Sequence, residues 1–252
     1  MNIIVRYIII SLKKNFINKM NAVMVILDTV LACFSIWLFW NSMLEMDLQI
    51  EGWEISSIQM FIGFSLIARA FTNLTVGDYD IQQHIAKGTL DNFLVKPCNP
   101  IIAIMVERPD FLQFFVTFFI GLVCVFIHCD GSKIGYALIA IFVCIIATIT
   151  LCLLEVMIFE GAFWLKKTDM FADVYFAISS VSKYPLVFFG KKITLFLTYI
   201  LPVAYVGTIP TEITAGGVLS ISILVPLLLL GINLLGVTIL WKLGRRRYES
   251  TN

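Results

Sequence analysis

Charged side chains are scarce in this sequence. Only 14% of its 252 residues are charged, whereas 60% are hydrophobic, and typical globular domains carry about 25% charged residues. This balance excludes an ordinary water-soluble domain. It is typical of a polytopic membrane protein, in which each helix needs about 20 apolar residues to cross a bilayer core roughly 30 Å thick.

Motifs for nucleotide hydrolysis and metal chemistry are missing as well. There is no GxxxxGK[ST] phosphate loop, and the closest string has Pro185 where the first glycine should stand. HExxH and GxSxG motifs are absent, and His84 and His128 are too few for a histidine-rich metal site. Glu155 and Glu160 are five residues apart on one predicted helix, so they face different directions and make a poor acid-base pair. We therefore predict no enzyme activity, no metal and no other cofactor.

Long apolar segments are what the sequence does contain. Six of them approach the length of a helical span. They are Met20 to Met43, Ile55 to Val76, Phe111 to Cys129, Ile134 to Ile158, Met170 to Phe189 and Gly217 to Trp241. The predicted fold is therefore all-α, with six transmembrane helices forming one domain over residues 1–252.

A seventh apolar segment, Ile193 to Ile209, is short and is broken by Pro202. Irregular backbone at membrane depth is tolerated only where protein or a water-filled cavity surrounds it. We therefore predict a re-entrant hairpin over residues 191–210, before the last span. In the alternative, this segment is the fifth span and Met170 to Phe189 lies on the membrane surface. The hairpin is favoured because the large apolar side chains of that earlier segment require burial.

Basic residues indicate the orientation, because cytoplasmic loops carry an excess of Lys and Arg. With the amino terminus inside, thirteen of the eighteen basic residues lie on the inner side. They are Arg6, Lys13, Lys14, Lys19, Lys87, Lys96, Arg108, Lys166, Lys167, Lys242, Arg245, Arg246 and Arg247. The first outer loop is purely acidic, with Glu45, Asp47, Glu51 and Glu54. Both termini are predicted to be cytoplasmic.

Residues 1–19 lack the features of a secretory signal, because the apolar run Tyr7 to Leu12 is short and no small-residue cleavage site follows it. Their pattern of isoleucines and basic residues predicts an amphipathic helix in the inner membrane interface. The same pattern fits a simple basic flank before the first span. Both interpretations remain open at this point.

The ionisable residues Asp28, Arg69 and Glu155 fall inside predicted spans, and Glu160 and Asp173 lie near the inner ends of their helices. A charge at the centre of a span costs about 2.5 to 3.5 kcal/mol on insertion scales. Asp28 and Arg69 lie at comparable depths in neighbouring antiparallel helices, which allows contact between them. We interpret them as an ion pair that joins two helices, with a substrate contact as the alternative. Glu155 is interpreted as a residue of the inner mouth or of helix packing.

A polar stretch over residues 77–109 separates the second and third predicted spans. Its first part has an apolar helical stripe that ends at a glycine, a residue that caps helices cheaply. A second apolar patch follows, and two prolines turn the chain back towards the membrane. The candidate docking residues are Ile81, His84, Ile85, Lys87, Gly88, Leu90, Asp91, Leu94, Pro97 and Pro100. The alternative is a solvated connector, which would be richer in Ser, Lys and Glu.

Two stretches resemble the permease subunit of type-2 ATP-binding-cassette exporters, and more narrowly its uncharacterised single-domain, six-span branch. The first has the pattern I-x-x-G-x-L-D-x-x-L-x-x-P-x-x-P, formed here by Ile85, Gly88, Leu90, Asp91, Leu94, Pro97 and Pro100. The second is Y-P before a broken helix with two more prolines, formed here by Tyr184, Pro185, Pro202 and Pro210. Together with the topology, the likeness extends over essentially the whole chain.

The resemblance implies a multi-pass protein of the plasma membrane. A separate cytoplasmic ATPase would grip residues 77–109 as a coupling helix, and two identical or related permease chains would line one pathway through the bilayer. The hairpin would gate or line its outer end, and no nucleic acid takes part. The cargo stays open among drugs, peptides and lipids. The alternative function is a membrane-embedded structural or sensory subunit that docks a cytoplasmic partner through residues 77–109 without transport.

Overall fold

The computed structural model of the chain describes residues 8–10, 12–13, 19–45, 53–74, 78–105, 109–165, 173, 176–177 and 180–248. Within these ranges the fold is all-α and contains no strand, which confirms the predicted class. Most of the amphipathic segment predicted at residues 1–19 lies outside the described part. Seven of the twenty residues of the span predicted at Met170 to Phe189 also lie outside it, at positions 170–172, 174–175 and 178–179.

Eleven α-helices lie in the described part of the chain. They are α1 (Lys19–Glu45), α2 (Ile55–Thr72), α3 (Asp78–Ala86), α4 (Asp91–Leu94), α5 (Pro100–Met105), α6 (Phe111–His128), α7 (Ile134–Glu160), α8 (Ala162–Leu165), α9 (Lys191–Tyr199), α10 (Thr208–Gly216) and α11 (Leu224–Arg245). Short 3₁₀ turns lie at Gly131–Lys133, Ser180–Lys183, Leu186–Phe188, Pro202–Val206 and Ile221–Ile223.

Within the described ranges, five helical segments are long and apolar enough to cross a membrane. They are Ala22–Met43, Ile55–Thr72, Phe111–His128, Gly131–Leu165 and Ile221–Arg245. Each overlaps one of the six predicted spans, and the fourth is longer than predicted. In the remaining prediction, Met170 to Phe189, the described residues 173, 176 and 177 are α-helical, and Ser180–Lys183 and Leu186–Phe188 form 3₁₀ turns. The count of six spans therefore stays a prediction.

The backbones of helices α2 and α6 approach each other closely where the two helices cross, at Gly63 and Gly121. A Cβ atom added to Gly63 would lie 2.9 Å from the Gly121 carbonyl oxygen, and one added to Gly121 would lie 2.8 Å from the Gly63 carbonyl oxygen. Small residues at such a point let two backbones approach closely, as is common between membrane helices. At the start of α6, the Asp110 carboxylate accepts a hydrogen bond from the Gln113 backbone N–H at 3.0 Å, an N-terminal cap.

Helix α7 forms the axis of the bundle. It packs against α2 and α10 through its first half, and against α3 and α11 through the remainder. Asn233 of α11 donates a hydrogen bond to the Thr150 carbonyl oxygen at 3.0 Å, and the Thr150 hydroxyl donates to the Pro226 carbonyl oxygen at 3.3 Å. By contrast, α1 and α11 leave most of their apolar side chains exposed.

Candidate functional site

The polar loop is a compact set of three short helices, α3, α4 and α5. Gly88 follows α3 with a φ of 68°, a left-handed conformation that glycine adopts without strain. The predicted end of the first loop helix at this glycine is thereby confirmed. Helix α5 begins at Pro100, where a missing N–H costs nothing, and the Asn99 side chain accepts from the Ile101 backbone N–H at 3.0 Å.

The apolar stripe of the loop faces the bundle. Ile81 and Leu90 are completely buried, and Ile85 and Phe93 are nearly so. They pack with side chains from α7, α8 and α11 in what we call the loop cluster: Ile81, Ile85, Leu90, Phe93, Ile101, Ala103, Ile104, Val156, Phe159, Ala162, Phe163, Val237 and Trp241. The stripe thus fixes the loop to three other helices of the same chain.

Polar contacts within the loop hold its shape. Nδ1 of His84 and the Thr89 hydroxyl are 2.8 Å apart, and the His84 ring lies 4.7 Å from the Phe93 ring. The Lys96 ammonium group lies 4.3 Å from the centre of the Phe93 ring, within the range of a cation–π interaction. His84 is therefore a packing and capping residue of the loop.

The outward surface of the loop is formed by other residues. Val95 is 82% exposed at the turn after α4. Lys87, Thr89, Asn92 and Pro97 are exposed too, and Asp91, Leu94 and Pro100 are half-buried. Lys87 donates a hydrogen bond to the Gln83 side chain at 3.0 Å. A partner that approaches this end of the bundle meets the turn around Val95 before any residue of the buried stripe.

The carboxyl-terminal end of α11 also contacts the loop cluster. The Trp241 and Phe163 rings are 5.5 Å apart, and the Tyr248 ring lies 6.4 Å from that of Phe163. Burial raises the pKa of the Tyr248 phenol, and the nearby Asp91 carboxylate raises it further. Tyr248 was not among the residues that the sequence singled out, because nothing in its local pattern indicates a long-range contact with the loop.

The predicted intramembrane charges lie apart from one another. Asp28 and Arg69 are both exposed, and among the described residues they form no ion pair. Glu155 is half-buried in α7. The more unusual acid is Glu160, which is completely buried and finds no hydrogen-bond partner for either carboxylate oxygen within the described part of the chain. The sequence offered one signal for it, since it shares a helix face with Val156, four residues earlier.

The segment predicted as a hairpin, residues 191–210, contains α9, a 3₁₀ turn at Pro202–Val206 and the first residues of α10, which continues to Gly216. Helices α9 and α10 have nine residues each. At 1.5 Å per residue, each helix is roughly 14 Å long and too short to cross a bilayer core. All residues from Pro202 to Thr208 are buried. Pro202 opens the turn, and Pro210 lies in the first turn of α10, where its missing N–H is harmless. The alternative in which residues 193–209 are the fifth span would require a span interrupted by the 3₁₀ turn at Pro202–Val206.

Several hydrogen bonds attach this segment to the bundle. The Cys144 thiol donates to the Val206 carbonyl oxygen at 3.2 Å, and the Tyr205 hydroxyl donates to the Ser222 carbonyl oxygen at 2.7 Å. Lys133, at the start of α7, donates to the Ala215 carbonyl oxygen at the end of α10. This part of the chain is therefore attached to the bundle at Tyr205 and Val206, in its 3₁₀ turn, and at Ala215, near the end of α10.

The Tyr184-Pro185 dipeptide lies at the same end of the bundle. The Leu186 backbone N–H, directly after it, donates to the Thr208 hydroxyl at 3.1 Å. The Tyr184 ring lies 6.3 Å from that of Trp40 in α1. The two motif regions therefore contact different parts of one helix: the 3₁₀ turn at Pro202–Val206 contacts α7 at Cys144, and the loop cluster contacts it at Phe159, roughly 22 Å further along.

These features define a multi-pass, all-helical membrane protein with a compact polar loop at one end and a broken-helix segment at the other. A family model described as ABC-2 family transporter protein matches residues 29–252. The chain belongs to this family, which confirms the resemblance seen in the sequence. A search of curated proteins and a search of solved structures each returned no match.

Proposed function

We propose that the chain is the permease subunit of an ATP-binding-cassette exporter, which forms a translocation pathway as a dimer and is driven by a separate cytoplasmic ATPase. Family membership supports the transport role. In this proposal residues 77–109 receive the ATPase, both termini are cytoplasmic, and residues 191–210 form an outer re-entrant hairpin. No nucleotide-binding motif is needed on the permease itself.

The observation that carries the proposal is the loop cluster. Ile81 and Leu90 of the loop are completely buried against Val156 and Phe159 of α7 and against Trp241 of α11. Interiors this closely packed transmit displacement because they have little free volume. A partner that pushes the loop therefore moves the adjacent ends of α7, α8 and α11, as is required if a separate ATPase drives the permease.

The distribution of charge supports the orientation. The loop, with Lys87 and Lys96, lies at the same end of the bundle as the last turn of α11, where Lys242 and Arg245 are found. Lys133 lies at the opposite end, next to α10. By the positive-inside rule the loop end faces the cytoplasm. The exposed apolar faces of α1 and α11 leave room for a second chain as well as for lipid.

The first test is a pull-down of the tagged full-length chain from gently solubilised native membranes, followed by mass spectrometry. We expect an ATP-binding-cassette ATPase to co-purify. Its repeated absence, also after crosslinking, would contradict the exporter assignment and favour the structural or sensory subunit.

The second test separates docking from folding. We expect Val95→Asp to reduce ATPase recovery about tenfold or more, because it places a charge in the apolar contact that the exposed Val95 would make. The matched control is Val218→Asp, which changes another exposed valine, at the hairpin end. Ile85→Asp should instead lower the yield of folded chain, because Ile85 is only 8% exposed within the loop cluster.

Recovery is measured by quantitative mass spectrometry, and folding by size-exclusion chromatography in detergent. Equal ATPase recovery with Val95→Asp and with the unchanged chain would contradict docking at this turn. A folded Ile85→Asp variant that loses only the ATPase would show instead that the buried stripe is the docking surface.

A further inference from the structure

The last turns of α11 have two different faces. Trp241 and Gly244 are buried, and Tyr248 packs against the loop cluster from the same side. The remaining positions carry a group of basic side chains, Lys242, Arg245, Arg246 and Arg247, which we call the basic end of α11. All four are exposed, and none forms an ion pair with another described residue.

An exposed apolar stripe leads to these charges. Leu235, Ile239 and Leu243 are 65%, 54% and 47% exposed, and they follow one another at intervals of four residues. At about 100° per residue, Lys242 and Arg246 lie within about 60° of Ile239 around the helix axis. The backbone keeps its helical conformation at Arg246, so the stripe continues into the basic residues without a break.

We propose that the basic end of α11 binds the headgroup of an anionic phospholipid whose acyl chains lie along Leu235, Ile239 and Leu243. The phosphate would lie between Lys242 and Arg246, at the boundary where the exposed aliphatic side chains give way to charged ones. Clusters of four or more basic residues directly after a transmembrane helix are the sequence pattern typical of such lipid recognition.

The position of this site gives it a link to the loop. Lipid bound on the exposed face immobilises the last turns of α11, whose opposite face contacts the loop cluster through Trp241 and Tyr248. The proposal does not depend on the exporter assignment, since it concerns only the helix end and the lipid beside it.

The test is lipid binding by the purified full-length chain in detergent, measured by native mass spectrometry during titration with phosphatidylglycerol or phosphatidylcholine. We expect tighter binding of phosphatidylglycerol. Lys242→Gln combined with Arg246→Gln should weaken it roughly thirty-fold, at about 1 kcal/mol for each basic side chain near the headgroup.

The matched control is Lys191→Gln combined with Lys192→Gln, which removes two exposed lysines at the start of α9. It should leave phosphatidylglycerol binding unchanged. Equal binding of the two lipids, or an equal loss in both double variants, would overturn the proposal. Displacement of the lipid by the same concentration of inorganic phosphate would also overturn it, since the site would then take free anions without need of acyl chains.

Discussion

The central and the flanking spans of this chain differ sharply in burial. In α2, 67% of the most apolar window is buried inside the chain, whereas in α1 and α11 only 11% is buried. Both groups are apolar enough to cross a membrane. The difference teaches that hydropathy identifies a span but does not say whether protein or lipid surrounds it.

The two groups are also held by different interactions. The central helix α2 approaches α6 through small residues, at Gly63 and Gly121, where the two backbones are nearly in contact, although only 17% of the most apolar window of α6 is buried. Helix α11 is joined to the centre mainly by side-chain packing and by the hydrogen bonds around Thr150. Because lipid tails are as apolar as leucine, close packing and polar contacts, and not hydropathy, join membrane helices to one another.

The largest expected effect comes from Gly121→Ala. The new Cβ atom would lie 2.8 Å from the Gly63 carbonyl oxygen and 3.0 Å from the Ile67 backbone nitrogen, so the helices must separate. We expect a loss of about 1–3 kcal/mol in the free energy of unfolding. Denaturant titration in detergent micelles measures it.

The control for this change is Gly231→Ala on α11, where no atom lies within 4 Å of the added Cβ. It should be neutral or slightly stabilising, since alanine has the higher helix propensity. Similar losses in both variants would show that the contrast between central and flanking helices does not exist in the micelle.

An intermediate effect is expected for Asn233→Leu, which removes the hydrogen bond from α11 to the Thr150 carbonyl oxygen. Hydrogen bonds between membrane helices contribute about 0.6 kcal/mol on average and about 1.7 at most. The same titration should therefore show a loss within that range. Thr238→Val is the control, because its hydroxyl bonds only within its own helix, to Leu235. A larger loss in the free energy of unfolding for Thr238→Val than for Asn233→Leu would contradict a stabilising role of the Asn233 hydrogen bond.

The smallest effect is expected for Leu31→Ala in α1, where the side chain is 62% exposed. The free energy of unfolding should change by no more than about 0.5 kcal/mol. Leu66→Ala in α2 is the matched change at a side chain only 2% exposed, and it should cost several times more because it leaves a cavity. A cost for Leu31→Ala that rises with protein concentration would indicate that a second copy covers α1.

Hydropathy and the positions of glycine residues predicted much of this fold. The starts of the spans at Ile55 and Phe111 agree with the structure, and so does the end of the first loop helix at Gly88. Both depend on local features: the length of an apolar run, and the freedom of glycine to adopt a positive φ. Features of this kind are visible in one sequence.

The sequence did not show which surface of the loop packs against the helix bundle. The spacing of Ile81 and Ile85 indicates an apolar face, but periodicity does not say what covers that face. The structure places Trp241, far away in the sequence, over it, so the exposed turn at Val95 replaces the stripe as the surface open to a partner. Asp28 and Arg69 likewise share a depth, yet they are not paired, because α1 packs more extensively against α6 than against α2.

The crossing of α2 and α6 also bears on movement. Gly63 and Gly121 lie near the middle of their helices, and each backbone fits against the carbonyl group of the other. Such close contact between the backbones prevents one helix from sliding past its neighbour. We therefore expect α2 and α6 to move together as one rigid body. Any conformational change during a functional cycle then occurs in the helices around them.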